Sequence, residues 1–187
     1  MLKIVPKRVL YIQSIMATEK IIKTKLIKLF RNDFNVIENI KGLSFYNKEV
    51  RPDLALKFNN LLFVIEIKDD TKKNFNLSHL LRQAINYKNA TYNNAVPQFA
   101  FIATSNMLKI GKQAIYGGET SKMIGLANKL GVGEIFYRKS KNIISINLGS
   151  QILYEINTTT LESSFNFNSM PKLKIGTNAK SNRINYI

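Results

Sequence analysis

Residues 51–70 read RPDLALKFNNLLFVIEIKDD, and this stretch decides the fold. Two strand-like runs, 52–58 and 61–68, are separated only by Asn59-Asn60. Asparagine tolerates positive φ, so the pair predicts a two-residue turn and the flanking runs an antiparallel hairpin. With Phe58 facing Leu61, the numbers of paired residues sum to 119, which sets Asp53 opposite Glu66. Opposed residues share a face with Cβ atoms ~4.5–5.5 Å apart, and Lys68, two positions on, joins that face. Pro52 cannot donate to a ladder, so a local shift of the pairing is compatible with the same residues. Facing carboxylates repel unless a cation lies between them. A hard divalent ion such as Mg²⁺ answers that need, taking oxygen ligands from one or two carboxylates together with phosphate and water. A lysine beside it can orient water and stabilise charge developing on phosphate. The plainer alternative puts Glu66 and Lys68 on an exposed face, paired with their neighbours.

Working outward, residues 8–31 predict one long helix, with Ile12, Ile15, Met16, Ile22, Leu26 and Phe30 on one side. VIENI and a loop or strand through LSFYNKEV follow. NLSHLLRQAINYKNA reads as an amphipathic helix, and QFAFIATS after Pro97 as a buried strand. SKMIGLANKLG reads as a helix capped by Gly131. GEIFYRKS and NIISINL read as strands around a Lys/Asn-rich turn, and the pieces YGGE and GVGE as turns. The order is helix, strands, helix, strand, helix, strands: a mixed α/β design with a sheet covered by helices. We expect one domain over residues 1–156 and a polar, basic extension over 157–187, either part of the same domain or flexible, whose four basic residues after Glu162 suit a phosphate backbone.

Charge narrows the partner. The 187 residues carry 28 Lys and Arg against 12 Asp and Glu, a net charge of +16. The positive field favours a polyanion, nucleic acid first and an acidic membrane surface second. No cysteine is present, which excludes disulfides, iron–sulfur clusters and thiolate zinc. The single histidine, His79, cannot supply a multi-imidazole site and reads as a surface or boundary residue. No apolar run reaches the ~18 residues of a membrane span. The opening MLKIVPKRVLYIQSIMATEK lacks a clean apolar core and reads as mature structure, so a cytoplasmic setting is expected, prokaryotic or phage-encoded.

Pro52-Asp53, twelve intervening residues and Glu66-Ile67-Lys68 resemble the motif of the PD-(D/E)xK nuclease superfamily, the restriction-endonuclease-like fold. RPDLALKFNNLLFVIEIK is locally similar to the nuclease region of type I restriction motor subunits, although this chain lacks the phosphate-binding loop of a motor. The likeness covers roughly residues 15–105. It implies that Asp53 and Glu66 hold Mg²⁺ (or Mn²⁺ in its place) with the backbone carbonyl of Ile67, and that Lys68 assists the attacking water. Glu19 matches the acidic residue that many members keep on their first helix, as a further metal ligand. Its own position, inside the apolar stripe, demands a partner, and Lys23 at i+4 is the alternative reading.

His79, Gln83 and Tyr87 recur every four residues on the following helix. A glutamine there in the family contacts water, metal-site groups or DNA, which makes Gln83 a catalytic candidate. Arg51, Arg82 and Tyr87 are candidate nucleic-acid contacts. The implied activity is hydrolysis of phosphodiester bonds, most readily in DNA. A non-catalytic nucleic-acid-binding module on the same fold is the competing reading. Restriction-like relatives cut two strands as dimers, so a homodimer or a larger nucleoprotein complex is compatible with the chain.

Overall fold

The computed structural model describes residues 7–110 and 118–166. Helix α1 (Lys7–Phe30) buries Ile22, Leu26 and Phe30, spaced one turn apart on the expected side. The side chains of Ile12, Ile15 and Met16 lie outside the described residues. Strand β1 (Asn35–Glu38) follows, then a small two-stranded ribbon of β2 (Gly42–Leu43) and β3 (Glu49–Val50). Next come β4 (Leu54–Phe58) and β5 (Leu61–Lys68), the quoted hairpin. Leu54 pairs with Ile65 and Phe58 with Leu61, the expected register without a shift, and Asn59 takes φ +52° in the turn. The proline leaves the ladder intact because pairing begins only at Leu54, beyond Asp53.

Helix α2 (Leu77–Lys88) is capped by Asn76, whose side chain accepts a hydrogen bond from the backbone of His79 at 3.1 Å. Strand β6 (Phe99–Thr104) runs straight into α3 (Ser105–Ile110). Helix α4 (Gly118–Lys129) ends at Gly131, whose φ of +80° suits a residue without Cβ. The strands β7 (Val132–Arg138) and β8 (Ile143–Leu148) turn through Lys139–Lys141 and Asn142, the latter at φ +52°. The two Gly-containing pieces differ from expectation. Gly118 and Glu119 open α4, and of GVGE only Gly131 is a turn, since Val132-Gly133-Glu134 begin β7.

Two strands beyond those expected complete the sheet: β9 (Gln151–Asn157) and β10 (Ser163–Phe165). Gly149-Ser150, with Gly149 at φ +61°, makes the turn into β9, so the described chain stays in the domain to residue 166. Residues 167–187, with all four basic residues of the extension, lie outside the described ones.

The main sheet has the order β1-β4-β5-β6-β7-β8-β9-β10, parallel across β5-β6-β7 and antiparallel elsewhere. The fold is therefore mixed α/β. One face buries Phe63, Ile65, Ile67, Phe101 and Ile135 with α1, and the other packs Val64, Ile102 and Val132 with α2 and Ala127 of α4. The sheet curls around the α1 core. Phe165 on β10 stacks on Phe58 of β4 with centroids 4.6 Å apart, although five strands lie between them in the order. Phe34 and Tyr154 fill the junction, and Tyr154 donates to Asp33 at 2.8 Å.

Candidate functional site

Glu66 lies in the middle of the sheet and is 3% exposed. Two residues apart on one strand, Glu66 and Lys68 point to the same face, and Lys68 Nζ stands 2.6 Å from Glu66 Oε1. Asp53, just ahead of β4, accepts a hydrogen bond from the backbone N–H of Ile67 at 2.7 Å. That bond holds Asp53 against the partner strand, so its carboxylate acts directly on that of Glu66.

The electrostatics follow from burial and neighbours. Desolvation, reinforced by the charge of Asp53, pushes the Glu66 carboxyl up to about 7, and the pairing with Lys68 only partly opposes this. Desolvation also works against the Lys68 ammonium, yet Glu66, with Asp53 and Glu19 behind it, outweighs that cost and holds Lys68 above the ordinary lysine value. On α2, the Tyr87 hydroxyl is pushed up to about 12 by burial and by the charges of Glu66 and Asp53. Tyr87 is half-buried on α2.

Beyond the end of β5 lies a cleft of about 350 Å³, walled by Glu19, Lys68, Asp69, Lys72, Arg82 and Gln83 among others. This is where the parallel strands β5 and β6 deliver their carboxyl ends, the usual place for a site in an open α/β sheet. Glu19 reaches it from α1 and accepts hydrogen bonds from the backbone of Asp69 and from Lys72 Nζ, each at 3.1 Å. The alternative partner Lys23 instead pairs with Glu38 at 3.5 Å. Gln83 projects from α2, and its buried Oε1 has no hydrogen-bond partner among the described residues, which leaves it able to accept from a donor. Arg82 and His79 line the same cleft from exposed positions. Arg51 is exposed and engaged by Glu49.

Sequence reasoning missed Asp69. It is 4% exposed and accepts from Ser105 Oγ and Thr71 Oγ1, both at 2.7 Å, and from the Thr71 backbone at 3.2 Å. Although desolvation works to raise it, the Thr71 and Ser105 hydrogen bonds hold its carboxyl below the usual range. Asp69 therefore ties the end of β5 to the start of α3 and offers its own N–H to Glu19. The signal was the Asp-x-Thr spacing of an Asx turn.

Whether a divalent ion fits is decided by the donor set. Two carboxylates meet at Asp53 and Glu66, enough for an ion that draws its remaining ligands from phosphate and water. Glu19 lines the adjoining cleft, which Lys68 borders but Asp53 and Glu66 do not, and it is held by Asp69 and Lys72; no group of three metal-binding side chains forms among the described residues. A larger groove, about 690 Å³, runs between α1 and the β7–β8 side of the sheet, but Ile21, Leu29, Leu108, Tyr137, Ile144 and Leu161 make it mainly apolar. No described helix is long and apolar enough to cross a membrane. Neither a family model, nor a curated protein, nor a solved structure matches the chain.

Proposed function

We propose that this protein is a metal-dependent nuclease, built on a restriction-endonuclease-like core and acting on DNA. The observation that carries the reading is Glu66, buried in the middle of the sheet with Lys68 at 2.6 Å and with the carboxylate of Asp53 close enough to make its charge costlier. A chain that only bound phosphate would gain nothing from a repelling pair, which weighs against the competing reading of a non-catalytic binding module. The net charge of +16 and the basic groups Lys68, Lys72 and Arg82 at the cleft suit a phosphate backbone. The order α1, β1, β4, β5, α2, β6 agrees with the proposed core.

Asp53 and Glu66 would hold the ion, with the Ile67 carbonyl beside them. When bound, a divalent ion polarises the scissile phosphate and lowers the pKa of a coordinated water. Lys68 is kept protonated by its carboxylate neighbours, so it donates a hydrogen bond and stabilises negative charge instead of abstracting a proton. Gln83 lines the cleft, and its amide oxygen, unpartnered among the described residues, orients a water or a substrate hydrogen-bond donor. Glu19 fixes the Asp69 corner and Lys72, and thereby the wall of the cleft.

The test is cleavage of supercoiled plasmid, linear duplex, single strands and a four-way junction in Mg²⁺, Mn²⁺ or EDTA, using the parent and Lys68→Ala. Metal-dependent cutting by the parent, reduced about 10²-fold or more in Lys68→Ala while DNA binding persists, is expected. Equal cutting by both proteins refutes the site, and binding without cutting on every substrate favours the accessory module.

A further inference from the structure

The β2–β3 ribbon presents two aromatic rings to solvent. Phe45 is 87% exposed and Tyr46 78%, with centroids 5.6 Å apart and planes at 86°. Large apolar groups grouped at a tip are informative in a way that a lone exposed leucine is not. The loop that carries them is tightly built. Ser44 N donates to Lys48 O and Asn47 N to Ser44 O, both at 2.9 Å, and Asn47 adopts φ +55°. Lys48 N donates to Ser44 Oγ at 3.1 Å. This is a three-residue hairpin loop with a left-handed third position, so the rings are held out by backbone geometry. The base is anchored too. Leu43 and Thr91 exchange two backbone hydrogen bonds of 2.9 Å, and Gly42 lies so close to buried Tyr92 that a Cβ there would stand 2.4 Å from its ring.

Around the rings the charge is positive. Lys41, Lys48 and Arg51 face one acid, Glu49, which Arg51 and Lys41 already neutralise. The strand that leaves this loop leads through Arg51-Pro52 into Asp53. Asp53 lies seven positions beyond Tyr46, at most about 25 Å of extended chain. That span equals about seven steps of stacked nucleic acid at ~3.4 Å each.

We infer that the Phe45–Tyr46 tip is a stacking surface for an unpaired nucleobase, and that the substrate at the neighbouring carboxylate site is nucleic acid with a single-stranded or branched segment. The inference rests on the proposed nuclease reading and specifies its substrate. Aromatic rings stack on any base, while the surrounding lysines and arginine track the phosphates, so the tip reads strandedness and not sequence. A flush duplex hides its bases from such a tip, and a strand end, loop or junction exposes them.

The experiment uses the full chain without divalent ion and oligonucleotides carrying 2-aminopurine at successive positions. The parent and Tyr46→Phe quench the base in single strands and at a junction, within about seven nucleotides of the position cut when Mg²⁺ is added. The double variant Phe45→Ala/Tyr46→Ala, both at exposed positions that the core does not need, loses the quenching. It binds single strands about tenfold or more weakly, with blunt duplex binding nearly unchanged. Single-strand binding equal to that of the parent overturns the inference. So does ring-dependent binding to anionic lipid vesicles accompanied by ring-independent DNA binding, which makes the tip a membrane anchor. The two readings fail separately. Cutting that ignores the rings sinks the stacking surface alone, and ring-dependent binding without cutting on any substrate sinks the nuclease alone.

Discussion

Glu134 offers a clean quantitative test of the sheet's interior. It stands on β7 in register with Ile102 of β6 and Asn147 of β8, on the face shared with Glu66, which pairs with the same Ile102 from β5 two strands away. It is 7% exposed and makes no hydrogen bond or ion pair among the described residues, while the buried Oδ1 of Asn147 also lacks a partner. Burial alone pushes its carboxyl from 4.5 up to about 7. In the unfolded chain the proton leaves near 4.5, and in the folded protein it stays until about 7. Over that interval the folded state binds more protons, so its stability falls as pH rises. At about 1.4 kcal/mol per pH unit, the interval amounts to about 3 kcal/mol. Glu134→Gln, neutral at every pH, removes this slope. Urea denaturation from about pH 4.5 to about pH 8.5 is expected to give nearly equal stabilities at the acid end, with the variant about 3 kcal/mol more stable at the alkaline end. Glu66 adds its own slope to both proteins and cancels in the difference. A stability difference that does not change with pH would refute the argument, because it would mean that Glu134 finds a partner or water that compensates its charge.

Other expectations concern packing and the ion. Phe165→Ala removes the ring stacked on Phe58 and should cost about 1–3 kcal/mol in denaturant titrations; no loss would mean that β10 contributes nothing to closing the curl. Gly133→Ala places a Cβ 2.1 Å from the carbonyl oxygen of Asn147 and 2.7 Å from the Phe101 ring. The strands must part, so a loss on the order of 3 kcal/mol, or failure to fold, is expected by circular dichroism. Mg²⁺ at about 100 times its dissociation constant should stabilise the parent by about 2.7 kcal/mol over EDTA. Asp53→Asn should abolish that gain, and an unchanged rise in melting temperature would locate the ion elsewhere.

The hairpin at 52–68 was legible because its information is local. Asn59-Asn60 sets the turn, the turn sets the register, and the register carries Glu66 and Lys68 to one face beside Asp53. Helices α1, α2 and α4 were legible for the same reason, through spacing and caps such as Asn76 and Gly131, whereas the short α3, which runs straight on from β6, was not read. β9 was missed although Gly149-Ser150 supplied a turn signal, because its run QILYEIN alternates poorly around a bulge beside Ile146 and Asn147.

What the sequence alone determined, then, was the mixed α/β order, the hairpin register from Leu54 to Ile65, and the net positive charge, while Asp53 lies just outside the ladder and reaches the partner strand through the Ile67 N–H. Only the tertiary structure decided that Glu19 binds Asp69 and Lys72 and not Lys23, and that Phe165 returns to Phe58. It also decided that Glu134 is buried without a partner among the described residues and that Phe45 and Tyr46 stand in solvent. The physical reason is range. Turn chemistry and periodicity act over a few residues, whereas these contacts join positions 50 to over 100 residues apart, or depend on which faces remain uncovered. Their existence follows from how the whole sheet curls and which helix covers which face, and no short stretch of the chain carries that information.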